Sequence, residues 1–241
     1  MEILNDIVGY RNLKIYQNTD YFSFSLDSIL LANFVSFRLV DKDIVDLCCG
    51  NGVIPLILSK KTNNKIFGVE IQEKLCELAR KSIIYNNLND RIEIINSDLK
   101  DFSKKNNNKF DIVICNPPYF KTDNSRLLNI SYEKMVARHE VLINLSELLN
   151  SVKILLKNNG KFFMVHRTDR LLEILDELRK NNLEPKNVKF VYENHNKGST
   201  LVLIESHFNG SSGLKIDKPL ILFDENGNKT AEYKKILKEV Y

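Results

Sequence analysis

Ile44-Val45-Asp46-Leu47-Cys48-Cys49-Gly50-Asn51-Gly52-Val53-Ile54-Pro55-Leu56 is the stretch that decides the fold. Its first four residues are a short apolar run of the kind that makes a buried strand, and Val53 to Lys61 reads as a helix. Between them, Gly50 and Gly52 let the chain turn tightly and let a ligand approach bare backbone. The helix start then presents free N–H groups to a carboxylate or phosphate. A strand-to-helix turn with no ligand has the same appearance, so this feature alone does not define a site. The dinucleotide fingerprint G-x-G-x-x-G is not met, because Val53-Ile54-Pro55 follows Gly52 and position 48 is Cys. That argues against NAD.

Outward from this stretch, short apolar runs alternate with amphipathic ones. Ile66 to Glu70, Arg91 to Ile95 and Phe110 to Cys115 are further strands, and Lys161 to His166 is a fifth. Glu73 to Asn86 is a helix with Leu75, Leu78, Ala79 and Ile83 on one face. Helices are also expected over Ser146 to Leu156 and Asp169 to Lys180. Val188 to Tyr192 and Thr200 to Ile204 have no helix between them and should pair antiparallel at one edge. This order predicts an α/β, Rossmann-like fold with a mostly parallel sheet covered on both faces. Such a sheet binds ligands at the carboxyl ends of its strands, near the switch in strand order. The organisation expected is an N-terminal cap (1–40), a catalytic core (41–208) and a C-terminal strand/helix extension (209–241).

The chain has 241 residues, 43% hydrophobic and 27% charged, with a net charge of +4. These proportions exclude a disordered or collagenous chain. No run of about 18 apolar residues suggests a membrane span. Met1-Glu2-Ile3-Leu4-Asn5-Asp6 lacks the pattern of a signal peptide, so a cytoplasmic protein is expected. Cys48, Cys49, Cys76 and Cys115 form no C-x-x-C pair, and buried, reduced thiols without a metal are the expectation.

Three acids stand at strand ends. Asp46 lies in the first strand, and Glu70 ends the second. In nucleoside-binding folds an acid at the position of Glu70 accepts both ribose hydroxyls; it can equally be a charge at a helix start. Asp98, just past the third strand, can take a hydrogen bond from an adenine amino group or cap the helix that follows. In series with the glycine turn, the three acids place one adenosine-bearing ligand across three strand ends.

Asn116-Pro117-Pro118-Tyr119 follows the fourth strand. An amino group conjugated to a base or an amide is a poor nucleophile, because its lone pair is delocalised. The Asn116 side-chain oxygen and the Pro117 carbonyl can both accept hydrogen bonds from such a group and aim its lone pair. The two prolines preorganise these acceptors, and Tyr119 offers a ring on which a base can stack.

Together these residues resemble the class I S-adenosylmethionine-dependent methyltransferases that carry an N-P-P-Y motif. Several flanking segments are similar to the bacterial N6-adenine methyltransferases of adenosine 37 in a valine tRNA. They are Phe22 to Ala32, Asp46 to Leu56, Asn116 to Phe120, Ala137-Arg138-His139-Glu140 and Ile221 to Gly227. The resemblance implies a seven-stranded, mostly parallel sheet with an antiparallel edge hairpin and S-adenosyl-L-methionine as cofactor. It implies a tRNA substrate and no metal, membrane or obligate protein partner. The catalytic residues would be Asn116, Pro117, Pro118 and Tyr119. The cofactor residues would be Asp27, Asp46, Cys48, Gly50, Gly52, Glu70, Asp98 and Asn116. Cys48 departs from the glycine common at that place.

The stretch Lys121 to His139 is long for a loop and reads as a lid. Its cations Lys121, Arg126, Lys134, Arg138 and His139, with Lys197 in a later loop, are candidates for RNA phosphates; Arg167 and Arg170 can extend this basic face. Three alternatives compete. A protein glutamine-N5 methyltransferase shares the tetrapeptide, but only about forty residues precede the first strand, too few for its separate substrate domain. Other N6-adenine or N2-guanine nucleic-acid methyltransferases are open. An idle RNA-binding module would have no need of amine acceptors.

Overall fold

The computed structural model describes residues 1–19, 25–117 and 144–238. The chain opens on a hairpin, β1 (Glu2–Ile7) and β2 (Tyr10–Asn18), followed by α1 (Leu26–Phe34). The expected alternation then runs β3 (Ile44–Leu47), α2 (Val53–Leu58), β4 (Ile66–Glu70), α3 (Glu73–Tyr85), β5 (Ile92–Asn96), α4 (Leu99–Lys105) and β6 (Phe110–Cys115). After the undescribed stretch come α5 (Leu145–Leu155), β7 (Leu156–Arg167), α6 (Leu171–Lys180), β8 (Leu183–Tyr192) and β9 (Leu201–Phe208). Two two-residue strands, β10 (Lys215–Ile216) and β11 (Leu220–Ile221), and α7 (Ala231–Ile236) complete the described chain.

The seven long strands of the main sheet lie in the order β8-β9-β7-β6-β3-β4-β5. All are parallel except β9, which runs against both β7 and β8. This is the expected sheet with its edge hairpin, and β10 and β11 extend it by pairing parallel with β8. The chain moves outward from β3 to β5 and then crosses back to β6 on the other side of β3. That reversal opens a crevice at the carboxyl ends of β3 and β6.

Each face has its own core. One side gathers α1, α2, α3 and α7, with Leu30, Leu56, Ile57 and Phe163 among the buried side chains. The other gathers α4, α5 and α6 around Phe102, Leu149, Phe162 and Leu178. Parallel strands covered on both faces are almost continuously apolar; all four residues of β3 are buried, with Asp46 the one polar exception.

The N-terminal hairpin is absent from the sequence expectations. Leu13, Ile15 and Gln17 alternate inward along β2. Its backbone is tied to α3: Tyr16 N–H donates to Ser82 Oγ (2.8 Å), and the Asn86 side chain exchanges two bonds with Lys14. The C-terminal end of α1 is anchored by Lys61, whose Nζ donates to the carbonyls of Ala32, Asn33 and Val35. Lys61 thus anchors α1, whose first turn meets the end of β6 through Ser28 and Asn116.

Candidate active site

Asp46 is fully buried, registered between Gly68 of β4 and Ile114 of β6. Neither carboxylate oxygen has a hydrogen-bond partner among the described residues. Burial first, and the nearby Glu70 charge second, push its pKa well above the usual carboxylate range. A buried acceptor with no donor is costly, and a donor-rich or cationic group would relieve it.

The turn after β3 is built from left-handed backbone. Cys48, Gly50 and Gly52 have φ of 55°, 56° and 83°. A Cβ on Gly50 would meet nothing within 4 Å, so this bend faces open space, whereas one on Gly52 would press on Ala79 Cβ at 3.2 Å. Cys48 holds a conformation that costs a non-glycine residue about 1–2 kcal/mol. The departure from glycine noted in the sequence is therefore a point of local strain, and the turn forms nonetheless.

Glu70 binds this turn to β4. Its Oε2 accepts from Gly50 N–H (2.9 Å) and its Oε1 from Gln72 N–H (3.0 Å). Burial raises the Glu70 pKa while these backbone N–H groups pull it down. Asn96, which the sequence reading passed over, ties β5 to the same place by donating to the carbonyls of Glu70 and Ile71. Asp98 is the N-cap of α4, its Oδ1 accepting from Lys100 N–H (2.7 Å) and Asp101 N–H (3.4 Å). Of the two roles open to Asp98 in the sequence, the cap is the one the geometry displays.

Asn116 leaves the end of β6 directly beside α1. Its Nδ2 donates to Ser28 Oγ at 2.9 Å, and its buried Oδ1 has no partner among the described residues. Pro117 is buried behind it. Asp27, next to Ser28 in the first turn of α1, has its pKa raised by burial, with the Ser25 hydroxyl among the groups opposing the shift. Ser28 was invisible to sequence reasoning; its only signal is a serine on the buried side of a helix, next to the apolar run Ile29 to Ala32.

Thus β3, β4, β5 and β6 bring Asp46, the glycine turn, Glu70, Asp98 and Asn116 to one end of the sheet. Pro118, Tyr119, Lys121, Arg126, Lys134, Arg138 and His139 lie outside the described residues, as do Phe22 to Phe24. Lys197 pairs with Glu193 (2.7 Å), Arg167 with Asp169 (2.7 Å) and Arg170 with Glu173 (2.7 Å). All four cysteines are free thiols, with Cys49, Cys76 and Cys115 buried and Cys48 half-buried. Among the described residues no group of His, Cys, Asp and Glu is arranged to hold a metal, and no helix is long and apolar enough to cross a membrane.

The topology is that of the class I methyltransferases. A predicted O-methyltransferase from Agrobacterium tumefaciens superposes with a TM-score of 0.70 at 16% identity, over 88% of this chain and 95% of that one. A geranyl diphosphate C-methyltransferase from Streptomyces coelicolor A3(2), solved with S-adenosyl-L-homocysteine, gives 0.56 at 11% identity, over 76% and 77%. The methyltransferase small domain family model matches residues 23–191, and the chain belongs to that family. Among curated relatives, a tRNA1(Val) (adenine(37)-N6)-methyltransferase of Bacteroides fragilis (strain YCH46) is 33% identical over 123 residues, about half the length of each chain (51%). Another of the same name from Pedobacter heparinus is 25% identical over 233 residues, 96% of each chain.

Proposed function

We propose that this chain methylates N6 of adenosine 37 in a valine tRNA, with S-adenosylmethionine as methyl donor. The observation that carries the reading is Asn116 at the end of β6, its Nδ2 held by Ser28 and its buried Oδ1 without a partner among the described residues. Among the described residues no donor meets Oδ1, which suits an incoming N–H. An exocyclic amine that donates to Oδ1 and to the Pro117 carbonyl turns its lone pair out of conjugation. The rate then comes from alignment and from acceptors fixed in advance. No general base is needed before attack, since the proton can leave afterwards. Tyr119 stacks the base.

The strand ends suit the donor. Asp46 is a buried carboxylate with no partner among the described residues, and the bend at Gly50 is open. When bound, S-adenosylmethionine supplies an electrophilic methyl group. Glu70 would hold the ribose hydroxyls: its oxygens accept from Gly50 and Gln72 N–H, the Ile71 backbone also bonds to it, and a carboxylate oxygen accepts two. Ile71 beside it is 41% exposed and offers an apolar surface to a purine. Asp27 and Asp46 would face the cationic methionine end, and Asp98 has its second oxygen for the adenine amine. Lys121, Arg126, Lys134, Arg138, His139 and Lys197 would meet tRNA phosphates, and a tRNA substrate puts the reaction in the cytoplasm.

The test is incubation with methyl-labelled S-adenosylmethionine and, separately, total tRNA lacking the modification or a protein fraction. Label in N6-methyladenosine is the expected result. Label in glutamine would overturn the reading.

A further inference from the structure

We infer that Ser28 is a positioning residue for Asn116, anchoring the inner end of its amide so that Oδ1 is held ready for the acceptor amine. This rests on the proposed function for its consequence in catalysis, though not for the contact itself. Asn116 lies on β6 and Ser28 on α1, 88 residues apart, and they meet at 2.9 Å with Ser28 only 7% exposed. The two ends of an asparagine amide are nearly alike in shape but opposite in hydrogen bonding. With the amide reversed, Nδ2 would confront the N–H of the amine, donor against donor. Ser28 Oγ accepts from Nδ2 and anchors the inner end of the amide; a hydroxyl can also donate, so the amine selects the orientation and Ser28 holds the side chain in place for it. Only the acceptor end is left without a partner among the described residues.

Backbone restraint and side-chain restraint are divided between two neighbours. Pro117 restricts the backbone of Asn116 to extended conformations. It leaves the two side-chain torsions open, and Ser28 fixes those. α1 is well placed to do this, because Lys61 clamps its far end through three carbonyls. The same first turn carries Asp27, so one element joins the cofactor side of the crevice to the acceptor side.

The test compares wild type, Ser28→Ala and Ser28→Thr in single-turnover methylation of a valine tRNA transcript with labelled S-adenosylmethionine. It adds the side-chain NH₂ resonances of Asn116, assigned by their loss in Asn116→Asp. Alanine is the best helix former, so Ser28→Ala should fold. Its methyl-transfer rate should fall about ten- to a hundredfold, with KM for tRNA and cofactor affinity unchanged. The Asn116 amide protons should lose their exchange protection. Ser28→Thr keeps the hydroxyl and should restore both readouts. A Ser28→Ala protein with a wild-type rate, or with unchanged amide signals, overturns the inference, as does a threonine variant as slow as the alanine one. If wild type itself transfers no label to tRNA, the functional reading fails, and the amide signals alone decide the role of Ser28.

Discussion

The Gly50 N–H donates to Glu70 Oε2 across 2.9 Å, so the turn after β3 and the acid ending β4 form one unit. The second oxygen of the same carboxylate holds Gln72 N–H, fixing the start of α3 as well. A single side chain thus ties the turn after β3 to the start of α3.

Glu70→Gln should therefore weaken cofactor binding. Loss of hydrogen bonds to a charged acceptor costs about 1.5–3 kcal/mol, or roughly ten- to a hundredfold in affinity. Calorimetry with S-adenosylhomocysteine measures it directly. An unchanged Kd would confine Glu70 to its structural ties.

Asp46 should be a liability to the empty protein. Its folded-state pKa is raised well above the unfolded value, so the contribution of its protonated form is fully present below about pH 4. That contribution is lost as pH rises through the folded pKa, by at most about 1.4 kcal/mol per pH unit. Asp46→Asn should accordingly gain in Tm relative to wild type as pH goes from 4.5 to 8, while binding cofactor more weakly. A Tm difference that does not vary with pH would show that Asp46 finds a donor the described residues do not supply.

Recognition of the tRNA body is expected to fall on the cations after the catalytic tetrapeptide. Arg126, Lys134 and Arg138 replaced together by Ala should flatten the salt dependence of tRNA binding. Each lost phosphate contact lowers the log–log slope by about 0.7 for single-stranded RNA. Filter binding at several salt concentrations reads this, and cofactor affinity should not move. An unchanged slope would shift attention to Arg167, Arg170 and Lys197, whose present carboxylate partners would then have to yield to phosphate.

The strands that carry the site were legible because parallel strands are apolar on both faces and leave a continuous signature. Ile44 to Leu47, Ile66 to Glu70 and Phe110 to Cys115 all stand where the pattern puts them. What escaped is polar and long-range. Ser82 sits fully buried on α3 because Tyr16 N–H, 66 residues away, donates to it. A helical hydrophobic stripe says nothing of such a partner, so the hairpin it holds went unread. Ser28 was missed for the same reason. α4 was foreshadowed only by Asp98, whose cap role was visible but whose short, lysine-rich helix carried little apolar pattern. Cys48 was seen to depart from glycine, yet only the backbone angles show that it is held left-handed.

The central claim, that Asn116 presents an acceptor to the N6 amine of adenosine 37, has one most direct measurement. A valine tRNA transcript is methylated over a time course by wild type and by Asn116→Ala, and the modified nucleotide is located by mass spectrometry of nuclease fragments. Wild type should yield N6-methyladenosine at position 37, and Asn116→Ala should transfer about 10²–10³ times more slowly with cofactor affinity retained. Methylation at another nucleotide, or an Asn116→Ala protein with full turnover, would contradict the account.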